Sequence, residues 1–140
     1  MIKTAILLAT EHMSILREED VVPFRYRVKE CAAGIKMGLV NQTYLITAAS
    51  ELARNMLKYA DGGIVLIETI ERDGETGIRL MFKDQGPGIE DVGLALKDGF
   101  STGGSLGVGL PGAKRLVNEF EIASEPGKGT SVTIIRWANG

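Results

Sequence analysis

The feature that most restricts how this chain can fold is the crowding of glycine into one stretch. The chain has 18 glycines in 140 residues, and nine of them lie from Gly86 to Gly112. Isoleucine, leucine and valine are interleaved with these glycines, which argues against a disordered segment. An ordered fold must therefore hold a long glycine-rich loop. Loops of this length within compact domains are usually functional.

The composition is that of a globular protein with one domain, which we expect to span residues 1–140. Hydrophobic residues make up 44% of the chain, and the formal net charge is −2. The sequence has no block of basic residues of the kind that binds nucleic acid. It also has no apolar run that approaches the ~18 residues of a membrane helix. Cys31 is the only cysteine, which excludes an intrachain disulfide and fits a reducing cytoplasm.

The rest of the sequence divides into segments with helical or strand periodicity. Helices are expected over residues 20–37, 41–60 and 110–118, with Asp20 capping the first and Gly38 ending it. Strands are expected over 2–8, 14–17, 64–71, 78–83, 119–124 and 130–137, with a hairpin loop at 72–77. This order predicts an α/β (α+β) fold, a two-layer sandwich with a mixed β-sheet and helices on one face.

Polar side chains recur on one face of the second expected helix. Glu51 and Asn55 are four residues apart and flank the apolar stripe, so they can border a pocket. A carboxylate can accept a proton, and an amide oxygen can hold Mg²⁺. Lys58, about one turn further on, could reach a phosphate. Taken alone, the pattern is more typical of the solvated flank of an amphipathic helix than of a site.

A second motif, Asp84-Gln85-Gly86-Pro87-Gly88, directly follows an expected strand. An aspartate at a strand end can accept a hydrogen bond from an exocyclic amine such as that of adenine. Gly86 and Gly88 lack Cβ atoms, which lets the backbone approach a base. The alternative is a plain turn that begins with aspartate. Thr130, after Gly127-Lys128-Gly129, could place a hydroxyl near the base, although this segment is a hairpin turn in any case.

A third motif runs from Gly99 into the last expected helix. Glycine-flanked amides at a helix start suit a polyphosphate. No Gly-Lys-Ser/Thr follows, so the motif is not a Walker A loop. The candidate nucleotide contacts in this stretch are Ser101, Thr102, Gly103, Gly104, Leu106, Gly107, Val108, Gly109 and Leu110.

The order Glu-x-x-x-Asn, Asp-x-Gly-x-Gly, Gly-x-Gly before a helix and Gly-x-Gly-Thr resembles the GHKL ATPase superfamily. The resemblance covers about residues 10–137. Three segments are similar in sequence to the RsbT-type serine/threonine switch kinases of bacterial stressosomes. They are "SELARN", "DQGPGIEDVGLALKDGFSTGGSLGVGLPGAKRLVNEFEI" and "GKGT".

The resemblance implies a role for each matching residue. Glu51 corresponds to the catalytic carboxylate, Asn55 to the magnesium ligand, Asp84 to the adenine-binding aspartate and Thr130 to the threonine beside the base. Gly86, Gly88, Gly107 and Gly109 correspond to nucleotide-loop glycines, Lys58 to a phosphate-reaching lysine and residues 89–106 to a mobile lid over ATP. The implied cofactors are ATP and Mg²⁺.

Two features of the sequence argue against some of the activities found in this superfamily. A histidine autokinase needs an acceptor histidine on a helical domain, whereas His12 is the only histidine. Gyrase- and Hsp90-type sites are completed by a following domain, and here the sequence ends three residues after Trp137. The expectation is a serine/threonine protein kinase acting on another protein. The alternatives are an anti-sigma factor kinase that sequesters a sigma factor and a catalytically idle nucleotide-dependent scaffold.

The resemblance also implies partners for a kinase of this kind. RsbT-type kinases phosphorylate STAS-domain antagonist and co-antagonist proteins of the stressosome, and when released they bind and activate a PP2C-type phosphatase. We therefore expect these two classes of protein as partners, and we expect neither nucleic acid nor membrane.

Overall fold

A computed structural model describes residues 4–88, 96 and 109–140 of the chain. The expected lid and most of the glycine-rich loop lie outside these described residues. The described elements are β1 (Ile6–Ile15), α1 (Val21–Gly34), α2 (Leu39–Ala60), β2 (Gly63–Arg72), β3 (Glu75–Lys83), α3 (Gly109–Arg115), β4 (Glu119–Glu125) and β5 (Gly129–Trp137). None of the helices in this part of the chain is long and apolar enough to cross a membrane.

The five described strands form one sheet in the order β1-β2-β3-β5-β4. All four pairings are antiparallel, which corrects the expectation of a mixed sheet within this part of the chain. β2 with β3 and β4 with β5 are sequential hairpins, while the connection from β3 to β4 carries α3 and leaves room for β5 between them. This arrangement places the start of β5 beside the end of β3, at Ser131 and Lys83.

The helices cover one face of the sheet, so the expected two-layer α+β sandwich is confirmed. Alternate strand residues and the inner stripes of α1 and α2 form the core. Phe24 of α1 packs edge-on against Phe82 of β3, with ring centroids 5.9 Å apart. The largest fully buried side chains of this core are Phe24, Ile15, Leu45, Ile78, Leu80, Ile134, Val21, Val28 and Val65.

The opposite face of the sheet carries a smaller cluster around Trp137. Gly77 of β3 lies directly opposite Trp137, and a Cβ atom on Gly77 would lie 2.7 Å from the indole ring. Without that atom, the indole lies across β3. The Arg72 guanidinium sits 4.9 Å from the indole centroid, and Glu119 accepts bonds from both the indole N–H and Arg72.

A buried arginine ties the elements of the helical layer together. Arg136 of β5 is 9% exposed and donates to the Leu116 carbonyl after α3 at 3.1 Å and to Asn41 Oδ1 of α2 at 2.6 Å. Its guanidinium lies 5.1 Å from the ring centroid of Tyr44. The Asn41 amide donates in turn to the Ala138 carbonyl. These contacts fix the beginning of α2 to the end of α3, which also packs along α2.

The bounds of β1 and of the hairpin between β2 and β3 differ from those expected from the sequence. β1 is one strand with an irregularity in register between Leu7 and Ala9, where two short strands were expected. The hairpin between β2 and β3 turns on two residues, Asp73 and Gly74, both with positive φ. This is the sequence pair that a tight hairpin favours, so the expected six-residue loop was wrong.

Two helix boundaries also differ. α1 ends at Gly34 because Met37 and Lys36 donate backward to the Ala32 and Ala33 carbonyls, with Lys36 at φ 61. That is the hydrogen-bond pattern of a Schellman C-cap, here with lysine where glycine is usual. α3 ends at Arg115 because the Asn118 N–H donates to the Ile135 carbonyl and the chain there enters the sheet.

The cap expected at Asp20 is also corrected. Asp20 occupies the N-cap position of α1 but makes no side-chain cap bond. Its carboxylate accepts instead from the backbone N–H groups of Leu16 and Arg17. These bonds hold the pKa of Asp20 below its ordinary value, with the Leu16 N–H as the largest cause. Asp20 therefore stabilises the turn that joins β1 to α1.

Candidate active site

Asp84 organises the loop that follows β3. Its Oδ1 accepts from the backbone N–H groups of Gly86 at 2.9 Å and Thr130 at 3.1 Å. Its own N–H donates to the Thr130 carbonyl. Within the described residues Oδ2 has no hydrogen-bond partner. Asp84 thus uses one carboxylate oxygen to hold the loop and keeps the other available for a ligand.

The hairpin between β4 and β5 packs directly against this loop. The Gly127 N–H donates to the Pro87 carbonyl at 2.6 Å. Gly88 has φ +78, and a Cβ atom there would collide with the Glu125 carbonyl. A side chain at this position would therefore be strained and would also force the hairpin away. The two motifs, distant in sequence, form one substructure.

The same loop lies against the C-terminal half of α2. A Cβ atom on Gly86 would lie 2.5 Å from the Cβ atom of Ala60, and one on Gly63 would lie 2.7 Å from the Met56 sulfur and 3.2 Å from the Asp84 Cα atom. These close approaches bring Asp84 next to the helix turns that carry Asn55 and Lys58. The sequence analysis assigned neither Ala60 nor Gly63 to the site, and it took Met56 only as part of the apolar stripe of this helix.

Glu51 and Asn55 lie four residues apart on α2, and both are half-buried. In the part of the chain that the structure describes, neither side chain makes a hydrogen bond or an ion pair. Half-buried polar side chains normally find partners within the protein or in water. A carboxylate and an amide left uncommitted on the helix that packs against the Asp84 loop are suited to a ligand that enters from outside the chain.

The remaining candidate residues are placed as follows. The Lys58 ammonium lies 5.3 Å from the ring centroid of Tyr59 and has a further interaction. The Thr130 hydroxyl shares a 2.8 Å hydrogen bond with Ser124, a neighbour that the sequence did not indicate. Gly109, at φ +63, and Leu110 begin α3. Seven candidates lie outside the described residues: Ser101, Thr102, Gly103, Gly104, Leu106, Gly107 and Val108.

Cys31, the single thiol, belongs to a different cluster between α1 and β1. Arg27 Nε donates to Glu11 Oε1 at 2.6 Å, and the Cys31 thiol donates to the same oxygen at 3.5 Å. Burial raises the pKa of the Cys31 thiol, and the bond to Glu11 raises it further. Because the thiolate is the reactive form, Cys31 is a poor nucleophile at neutral pH. The candidate chemistry therefore rests on Glu51, Asn55 and Asp84.

The family assignment follows from a match that covers most of the chain. Residues 40–138 match the model of the histidine kinase-, DNA gyrase B- and HSP90-like ATPases. The chain belongs to this ATPase family. The match spans α2, the Asp84 loop, α3 and the last hairpin, which confirms the GHKL resemblance and the expectation of an ATP-binding domain.

Curated relatives identify the enzyme class within the family. The chain is 44% identical over 123 residues to the serine/threonine-protein kinase RsbT of Bacillus subtilis strain 168, covering 88% of this chain and 92% of RsbT. It is 33% identical over 97 residues to the anti-sigma F factor of Caldanaerobacter subterraneus subsp. tengcongensis, covering 65% of this chain and 66% of that protein. The chain is an ATP-dependent kinase of the serine/threonine class, as expected.

Solved structures agree on the fold. The RsbU and RsbW domains of a Mycobacterium tuberculosis protein superpose with a TM-score of 0.62 at 19% identity, covering 91% of this chain and 32% of that longer chain. The mycobacterial sensor histidine kinase MprB gives a TM-score of 0.55 at 21% identity, covering 92% and 97% of the two chains. Both have the arrangement of helices over a sheet described above.

Proposed function

We propose that this kinase transfers the γ-phosphoryl group of Mg-ATP to a serine or threonine of a STAS-domain antagonist protein in a bacterial stress-signalling complex. The observation that carries the proposal is the uncommitted pair Glu51 and Asn55 on α2, the helix against which the loop held by Asp84 packs. The extensive similarity to RsbT supports the acceptor class.

Asp84 and Thr130 recognise the base in this proposal. Asp84 Oδ2 accepts a hydrogen bond from the exocyclic amine of adenine while Oδ1 keeps its two backbone bonds. Thr130, the second residue of β5, donates its backbone N–H to Asp84, and we place its hydroxyl at the border of the same pocket. A carboxylate oxygen with no partner in the described residues favours a ligand with an N–H donor at this position.

Asn55 is the residue that would hold Mg²⁺, together with phosphate oxygens of the nucleotide. An amide oxygen is a suitable ligand for a hard cation, and Mg²⁺ usually takes few protein ligands when it binds a nucleotide. The Asn55 amide fits this role because no described residue occupies it. When bound, the ion neutralises charge on the phosphates. Lys58 and the amides from Gly107 to Leu110 contact the phosphates.

Glu51 acts as the general base for the acceptor hydroxyl. The hydroxyl oxygen forms a bond to the γ-phosphorus, the bond from that phosphorus to the β–γ bridging oxygen breaks, and ADP leaves. The hydroxyl proton moves to the Glu51 carboxylate. A serine or threonine hydroxyl needs such an acceptor because its proton must be removed during transfer.

The partners are part of the same proposal, and the similarity to RsbT supports them. In our proposal the kinase acts in the cytoplasm on STAS-domain antagonist and co-antagonist proteins and, once released from them, binds and activates a PP2C-type phosphatase. A second candidate, an anti-sigma factor kinase that sequesters a sigma factor, is favoured by one observation, the 33% identity to the anti-sigma F factor.

The decisive experiment is phosphoryl transfer by the full chain to STAS-domain proteins encoded near its gene. The protein is incubated with Mg-ATP, and phosphate is mapped by mass spectrometry. We expect acid-stable phosphoserine or phosphothreonine on the STAS protein and a rate lower by ~10²-fold or more for Glu51→Gln.

The matched control is Glu75→Gln, which should transfer phosphate at the wild-type rate. Glu75 is an exposed glutamate that begins β3, at the opposite end of that strand from Asp84. An unchanged rate in Glu51→Gln would refute the base assignment. Tight binding of a sigma factor without transfer to any STAS protein would favour the second candidate instead.

A further inference from the structure

A groove on the helical layer lies between α1 and the first half of α2. Its cavity has a volume of about 390 Å³. One wall presents Val22 and Tyr26 from successive turns of α1, and the other presents Leu39 and Ile46 from α2. Val22, Tyr26 and Leu39 are 53%, 67% and 77% exposed. Large apolar side chains grouped at this exposure mark a site of contact with another molecule.

The charged groups that line the groove are both cations. Arg25 and Lys29 lie one turn apart on α1 and are exposed. No carboxylate among the described residues pairs with either of them. Nearby Arg27 differs, because Glu11 and Glu30 hold it on the other side of α1. The groove is thus positively charged on a chain whose formal net charge is −2.

We propose that this groove binds an amphipathic helix of a partner protein, one that carries acidic residues beside its apolar stripe. The lining residues of each wall recur at i, i+3, i+4 and i+7, so each helix presents one continuous face to the groove. A helix laid in it would place its apolar side chains against Tyr26 and Leu39. Its carboxylates would face Arg25 and Lys29. Charge complementarity selects an acidic helix over a basic one.

The groove and the candidate active site share helix α2. Ile46, at one end, lies five residues before Glu51 on α2, about 7.5 Å along the helix axis at the usual rise. A helix docked here would hold its parent protein beside the site without occupying the nucleotide pocket. The surface therefore provides binding energy that is independent of the phosphoryl-transfer residues.

The test uses the full chain and a synthetic probe. The probe is a fluorescein-labelled helical peptide of about 16 residues with leucines at i, i+3, i+4 and i+7 and flanking glutamates. A second peptide has lysine in place of each glutamate. Binding is measured by fluorescence anisotropy without nucleotide, so the result does not depend on kinase activity. The contact surface is mapped by amide chemical shifts.

We expect saturable binding of the acidic peptide, with shifts confined to α1 and the first half of α2. Arg25→Glu with Lys29→Glu should weaken it at least about 10-fold, and Tyr26→Ala should also weaken it. A control with the same charge change, Lys36→Glu with Lys114→Glu at exposed lysines outside the groove, should bind normally. Equal affinity for the two peptides, no saturable binding, or no effect of the Arg25 and Lys29 reversals would overturn the proposal.

Discussion

Replacing Asp84 by asparagine separates the two jobs that the structure gives to this side chain. Asparagine keeps a carbonyl oxygen that can accept the N–H groups of Gly86 and Thr130, as Oδ1 does now. It places an NH₂ group where Oδ2 was. That group would face the amine of adenine donor to donor, so the loop should persist while nucleotide binding weakens.

The size of the effect follows from one hydrogen bond to a charged acceptor. Losing it should cost about 1–3 kcal/mol of binding free energy, which is roughly a 5- to 150-fold increase in Kd for Mg-ATP. Asp84→Ala removes the two backbone bonds as well. It should therefore also lower the free energy of unfolding by about 1–3 kcal/mol, which Asp84→Asn should largely spare.

Titration calorimetry with Mg-ATP and thermal unfolding of the apo-protein measure the two quantities separately. Asp73→Asn is the matched control, since Asp73 lies in the turn between β2 and β3 with φ 53, which asparagine tolerates. Equal ATP affinity in wild type and Asp84→Asn would refute the pocket assignment. An equal loss of stability in Asp84→Asn and Asp84→Ala would refute the division of roles between the two oxygens.

Three further variants test other features. Asn55→Ala should abolish the magnesium dependence of nucleotide binding, measured by calorimetry with and without the ion, and unchanged dependence would exclude Asn55 as the ligand. Gly88→Ala should lower the unfolding free energy by more than the ~1 kcal/mol expected for Gly74→Ala. Both glycines have positive φ, but only a Cβ atom at Gly88 would collide with a carbonyl. Equal melting temperatures of the two variants would contradict this. Asp20→Asn should be less stable than wild type at pH 7. The difference in unfolding free energy should have its full size above the ordinary pKa of 3.8 and should vanish as the pH falls through the lowered native pKa. A difference that persists at pH 2 would contradict this role of the Asp20 carboxylate.

The parts of the fold that the sequence could predict are those where one periodic stripe faces one core. α2 is such an element, because Leu45, Leu52 and Met56 recur on its buried face. β1 was harder, since as an edge strand it pairs on one side only, and Thr10, His12 and Ser14 are exposed on its open face. A strand that buries few side chains does not show the apolar run by which strands are recognised.

Long-range pairing could not be predicted from local pattern. Nothing in the residues of β5 specifies that it lies between β3 and β4, because antiparallel position depends on the path of the connection before it. Gly77 is a second case in which the local sequence does not reveal a contact with another strand. It was interpreted as part of a loop, whereas its lack of a side chain makes room for Trp137 on the neighbouring strand.

The candidate site was predictable as four motifs in order, and much less so as a set of contacts. The spacing of Glu51 and Asn55 requires a shared helix face. The two backbone N–H groups that share Asp84 Oδ1 come from residues 44 positions apart along the chain, Gly86 and Thr130. No local pattern encodes that pairing, which depends on the register of β3 with β5.

The buried Arg136 gives the helical layer a mechanical character. It fastens the first turn of α2 and the end of α3 to β5, whereas Glu51, Asn55 and the start of α3 lie toward the other ends of the two helices. Replacing Arg136 would leave Asn41 Oδ1 and the Leu116 carbonyl without their donor and would release both helix ends from β5 at once. One strand residue therefore fixes the position of both helices that carry candidate nucleotide contacts.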